Sequence, residues 1–249
     1  MELIAHRGCA DEYPENTLHA VERAARRLPA VEIDVRRCAS GELVVFHDET
    51  VDRTTDGTGP VADLDWTDLR RLDVLGSGEG VPLLSEALAA VPPDVTAQVE
   101  LKETGVGADA AAVVAQSGRT VRFSSFVPEA LAEVREADPD ADLGYLFGDD
   151  VGVDEGLAIA EDLDCEYLHP HADLCLETDV TERARAAGMD VIAWGLDDPA
   201  TCERLREAGV DGATADSWTL AGVEAGGEAE LEPDAEPELE ADAETATAD

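Results

Sequence analysis

Lysine is almost missing from this sequence: of 17 permanently basic side chains in 249 residues, only Lys102 is a lysine, the others being arginine. Acidic residues number 58, which sets the formal charge at -41. A surface of that sign repels phosphate backbones and anionic headgroups, and so argues against nucleic acid or a stable membrane association. It suits molar salt instead, where screening lengths fall to about 3 Å and self-repulsion is damped, so a salt-adapted source is expected. Paired cysteines are also lacking. Cys9, Cys38, Cys165, Cys175 and Cys202 are odd in number and never form Cys-x-x-Cys. That pattern excludes the usual zinc clusters and a full disulfide framework, and predicts reduced, buried thiols. No apolar run approaches the ~20 residues of a membrane span, and the chain enters the strand-like Glu2-Leu3-Ile4-Ala5 without a basic leader. A cytoplasmic protein is the expectation.

With 44% hydrophobic residues the chain can bury a sizeable core. β-like and helix-like runs alternate along it: Leu3-Ala5 then Asn16-Arg27, Val31-Val35, Thr96-Leu101 then Gly107-Gln116, Val121-Phe123 then Pro128-Ala137. Leu143-Phe147, Tyr167-His169, Val191-Trp194 and Gly212-Ala215 continue the strands, each with a helical run after it. Eight such units predict a parallel (β/α)8 TIM barrel over residues 1–223, an open doubly wound sheet being the alternative. Residues from about 38 to 81 break the rhythm and read as a small insertion after the second strand, ahead of a helix at Leu84-Val91. Residues 224–249 lose aromatic and basic residues entirely, a composition that predicts a disordered acidic tail.

Chemistry-bearing residues gather at strand ends, where barrel enzymes keep their sites: His6-Arg7-Gly8 after the first, Glu32-Ile33-Asp34 on the second, His47-Asp48 after the insertion's β run, and Glu100-Leu101-Lys102 on the third. Period-2 geometry puts Glu32 with Asp34, and Glu100 with Lys102, on one face of each strand. Carboxylates converging on one mouth cannot all stay ionised without a compensating cation, and all-oxygen ligation favours a hard ion: one divalent cation, Mg²⁺ or Ca²⁺, with Mn²⁺ admitted. A metal, two histidines, an arginine and a lysine together suit phosphodiester hydrolysis, with His6 and His47 as the proton pair.

These blocks resemble the glycerophosphodiester phosphodiesterase family along the whole barrel. The resemblance is carried by His6-Arg7-Gly8 with Pro14-Glu15-Asn16-Thr17, by Glu32, Asp34, His47, Asp48 and Arg53-Thr54-Thr55, and by Glu100-Leu101-Lys102. It implies a glycerophosphodiester substrate, Glu32, Asp34 and Glu100 as metal ligands, His6 and His47 as acid and base in undecided order, and Arg7 and Lys102 facing the phosphate. Trp194 and His169 are further candidates for substrate contact, Trp194 as a wall for an alcohol or as core, His169 as lining the mouth or capping a loop. The family's usual Trp-Thr-x-Asn reads Trp194-Gly195-Leu196-Asp197 here, and its Thr-Asp-x-Pro reads Ala215-Asp216-Ser217-Trp218. Both departures lie near the leaving group and bear on specificity. A barrel phospholipase acting on intact lipid and a non-catalytic phosphate-binding protein are the other readings. The lack of an apolar anchor or basic patch counts against the first, and the full set of ligands and histidines against the second.

Overall fold

Alternation along each strand decides which side chains meet the helices and which enter the barrel. The computed structural model describes residues 1–221. Its strands are β1 (Glu2–Ala5), β2 (Ala30–Arg37), β3 (Leu43–Val45), β4 (Thr96–Leu101), β5 (Val121–Ser125), β6 (Asp142–Phe147), β7 (Tyr167–Pro170), β8 (Asp190–Leu196) and β9 (Gly212–Ala215). On β2, Val31, Ile33 and Val35 join the layer beneath the helices, as Ala97, Val99 and Leu101 do on β4. Each valine, isoleucine or leucine among them contributes roughly 1.5–3 kcal/mol by leaving water. The intervening Glu32, Asp34, Gln98 and Glu100 are left to the barrel interior and mouth.

All strands but β3 are parallel, in the order β1-β9-β8-β7-β6-β5-β4-β2, and β1 pairs with β2 through Ile4 opposite Ala30 and Ala5 opposite Val31. The ring is therefore closed, which leaves no barrel edge unpaired and excludes the open sheet. The register sets Glu32 beside Gln98 and Asp34 beside Glu100. Strand β3 lies antiparallel to β2, with Val35 opposite Val45, and belongs to the insertion. The insertion has a small core of its own, formed by Val44, Phe46, Val51, Val61, Leu69, Val74 and Val81, which fixes His47 just past the end of β3.

Two local features differ from the sequence reading. The first helix spans Leu18–Ala25, shorter than the run Asn16-Arg27, and is capped by Thr17, whose hydroxyl accepts from the Ala20 N–H. An additional helix, Ala172–Glu177, follows β7. Gly188 and Gly209, at φ 89° and 80°, stop the helices Val180–Ala186 and Pro199–Glu207. Among the described residues no helix is long and apolar enough to cross a membrane. The acidic tail expected at 224–249 lies outside the described residues.

Candidate active site

The loop after β1 is a tight turn, His6–Gly8, in which Arg7 and Gly8 both take left-handed conformations (φ 51° and 79°). A Cβ on Gly8 would stand 2.7 Å from that of Ala20, so only glycine lets the turn lie against the first helix. A non-glycine residue in the left-handed region costs of order 1–3 kcal/mol, and at Arg7 the bonds that hold the turn oppose that cost. The Arg7 N–H donates to Glu32 Oε2 at 2.8 Å, and its guanidinium reaches Glu15 Oε1 at 3.0 Å and Asp34 Oδ2 at 3.5 Å.

Glu32, Asp34 and Glu100 converge at the mouth, each offering one oxygen within 4.8 Å of the others, and all three are buried. Asp34 is gripped on one side only. Asn16 Nδ2 donates to its Oδ2 at 2.8 Å, while Oδ1 lies 3.3 Å from Lys102 Nζ without a hydrogen bond. Glu32 Oε1 is likewise buried and unpartnered. An anionic oxygen that is away from water and has no hydrogen bond is costly, so Glu32 Oε1 and Asp34 Oδ1 fit a bound cation. Burial first, then the Asp34 charge, pushes the Glu32 carboxyl up to about 8, and the same two causes raise Glu100. Burial would raise Asp34 as well, but Lys102 and then Arg7 hold it low. Lys102 Nζ also donates to Glu100 Oε1 at 2.5 Å, so the chain's one lysine sits between two of the three carboxylates.

The two histidines face this cluster with different partners behind them. His6 Nδ1 is 2.6 Å from Asp216 Oδ1, beyond β9. Burial opposes the charged ring, but the bond to Asp216 and the field of Glu32 prevail and raise His6 to about 9. His47 Nδ1 is also 2.6 Å from a carboxylate, Asp48, yet Asp48 is shared with Arg53, whose Nε donates to Oδ2 at 2.5 Å. Burial of the ring, with the charges of Lys102 and Arg7, outweighs Asp34 and the bond to Asp48, and His47 falls below its usual value. Arg53 also spans to both oxygens of Glu15, at 2.7 and 2.8 Å, which ties the insertion to the Arg7 turn.

His6, Arg7, Glu32, His47, Glu100 and Lys102 all line one cavity of about 270 Å³, together with Gln98, Phe126, Leu146, Trp194 and Thr214. Trp194 is held at the cavity by its indole N–H, which donates to the Phe147 carbonyl at 3.1 Å, and by a T-shaped contact with Phe126 at 5.2 Å between ring centroids. His169 does not line the cavity. It is fully buried within the barrel with both ring nitrogens unpartnered, and burial, then Arg122, lowers it to about 3, so it is neutral and set back from any substrate contact.

Sequence reasoning passed over several residues of this site. Asp216 and Asp48 carried no role, although each stood in a quoted motif. Glu15 and Asn16 carried no role beyond their place in the Pro14-Glu15-Asn16-Thr17 block, whereas both bond the site. Gln98 carried one usable signal, the same strand parity as Glu100, and Phe126 carried none.

Comparison with known proteins yields a consistent set. The model of the "Glycerophosphoryl diester phosphodiesterase family" matches residues 6–220. A glycerophosphodiester phosphodiesterase of Caldanaerobacter subterraneus subsp. tengcongensis is 31% identical over 229 residues, covering 86% of this chain and 93% of its own length. Among solved structures, a glycerophosphodiester phosphodiesterase of Agrobacterium tumefaciens superposes with a TM-score of 0.78 at 27% identity, covering 88% of this chain and 98% of its own. A phosphodiesterase of Oleispira antarctica, solved with the product sn-glycerol-3-phosphate, superposes with a TM-score of 0.79 at 28% identity, over 87% and 93% of the two chains.

Proposed function

Because the chain belongs to the glycerophosphoryl diester phosphodiesterase family and is a phosphoric diester hydrolase, we propose that it cleaves small glycerophosphodiesters to glycerol phosphate and an alcohol, with His6 as acid and His47 as base. The observation that carries the reading is the pair of differently supported histidines facing three carboxylates across one cavity. The product bound to the Oleispira antarctica phosphodiesterase supports the same substrate class.

Glu32, Asp34 and Glu100 would hold one divalent cation, Mg²⁺ or Ca²⁺, which when bound supplies Lewis-acid polarisation of a phosphate oxygen. Lys102 and Arg7 add positive charge on either side of Asp34, where the non-bridging oxygens gain charge during the reaction. His47, held neutral, takes through Nε2 the proton of the attacking hydroxyl, from water or from the adjacent glycerol carbon, as its oxygen bonds to phosphorus. His6, held charged by Asp216, gives its Nε2 proton to the alcohol oxygen as that phosphorus–oxygen bond breaks. If the glycerol hydroxyl attacks, a cyclic phosphate forms, and water opens it with the two roles exchanged. Each transfer contributes roughly 10²–10⁴-fold.

Five buried free cysteines fit a reducing, cytoplasmic setting, and the acidic, lysine-poor composition fits molar salt. The test is release of glycerol phosphate from glycerophosphocholine and glycerophosphoglycerol in high salt, with and without EDTA. Turnover abolished by EDTA and restored by Mg²⁺ or Ca²⁺ is expected, and absence of turnover on every diester under loaded conditions would overturn the reading.

A further inference from the structure

A second cavity, of about 300 Å³, lies beside the first and shares His6, Trp194 and Thr214 with it. Its remaining wall comes from the ends of β8 and β9, including Asp197 and Asp216. A bulge makes room for it. The pairing of β8 with β9 slips between Ala193 and Leu196, and Gly195 takes φ 80° at the slip. A Cβ there would stand 2.6 Å from His171 Nε2, so glycine is required. Bulges of this kind re-aim the residues after them, and here they carry Asp197 to the exposed rim.

The charges of this second cavity are lopsided. No arginine or lysine lines it, the His6–Asp216 pair is self-compensating, and Asp197 adds a negative charge that no ion pair among the described residues offsets. The indole of Trp194 lines it as well, held by its bond to the Phe147 carbonyl and by T-shaped contacts with Phe126 and His171, the latter at 4.6 Å between ring centroids. An indole face attracts cations, most of all those too weakly hydrated to stay in water. The first cavity holds the phosphate-facing groups. A diester seated there with its leaving oxygen at His6 must send one arm past His6, which lines both cavities.

Resting on the phosphodiesterase reading above, we propose that this second cavity is the subsite for the leaving alcohol and that it selects headgroups carrying a positive charge, quaternary ammonium above all, over neutral ones of the same shape. The ammonium lies between the Trp194 face and the Asp197 carboxylate. Anionic headgroups are disfavoured there by the same charge.

The deciding pair of substrates is glycerophosphocholine and the ester of 3,3-dimethylbutanol, in which carbon replaces the choline nitrogen and shape is kept while charge is lost. The wild-type chain should favour the choline ester by about tenfold in kcat/KM at the lowest salt that keeps it folded, with the ratio shrinking as salt rises. In Asp197→Asn the ratio should fall and lose its salt dependence. In Trp194→Leu it should fall at every salt concentration, because the cation–π part is lost. Equal kcat/KM for the two esters in the wild-type chain, or a ratio that survives unchanged in both variants, overturns the subsite while leaving the hydrolase reading intact. Absence of turnover on both esters in the metal-loaded protein overturns that reading and this inference with it.

Discussion

His6 Nδ1 and Asp216 Oδ1 lie 2.6 Å apart although 210 positions separate them in the chain. Closure of the barrel brings them together, since β1 pairs with β9 from Glu2 opposite Gly212 to Ala5 opposite Ala215, and His6 and Asp216 are the first residues past the two strands. In the proposed mechanism Asp216 is a positioning residue that keeps the His6 ring oriented and charged. In Asp216→Asn the charge holding His6 near 9 is gone, so the pKa of His6 falls and the alkaline limb of the rate profile moves to lower pH. We expect kcat to drop roughly tenfold to a hundredfold at pH 8. A kcat/KM profile whose alkaline limb does not move would show that Asp216 has no influence on the acid.

Metal binding should compete with protons. Glu32 is raised to about 8 by burial and by Asp34, so below that pH a cation must displace its proton, and affinity should fall as pH is lowered from 8 to 6. Calorimetry in buffers of different ionisation enthalpy would reveal the released proton. Glu32→Gln, Asp34→Asn and Glu100→Gln should each abolish measurable binding of Mg²⁺ or Ca²⁺ and lower turnover at least about a hundredfold, with the circular dichroism spectrum retained.

Lys102 bridges Asp34 and Glu100 through a single ammonium, at 3.3 and 2.5 Å. A flat guanidinium is broader and cannot fill the same gap. Lys102→Arg should lower kcat/KM at least about tenfold, or roughly 1.4 kcal/mol of transition-state stabilisation, with little change in Tm. Wild-type rates would mean that any cation suffices at this position.

His169 should make the fold acid-sensitive. Its folded value, about 3, lies below the ordinary 6.5, so the unfolded chain binds the extra proton. The stability that neutral His169 contributes is complete above about 6.5 and declines as pH falls toward 3, reaching a loss of roughly 2 kcal/mol at pH 5. In His169→Leu that component disappears. The drop in Tm between pH 7 and pH 5 should be smaller than in the parent, and an equal drop would show that His169 already has a buried partner that accepts its charge.

Much of this protein is readable along the chain because its signals are local. The parity of Glu32 with Asp34 and of Glu100 with Lys102 follows from the two-residue repeat of a strand, and the apolar residues between them mark the face that helices cover. The eight strand-and-helix units follow the same way, as do the stops at Gly188 and Gly209. Other features depend on which strands become neighbours. Only the closing pair β1–β9 brings Asp216 to His6, and only the fold of the insertion sets Arg53 between Asp48 and Glu15. His169 shows the limit well, because the sequence left it either lining the mouth or capping a loop, while its depth along the barrel axis, which makes it buried, is set by strand register. The sequence by itself determined the inventory of charges and the face on which each lies. The tertiary structure alone decided how those charges pair, and with that which histidine keeps its proton, because pairing depends on distances of a few ångströms between residues that the chain holds far apart.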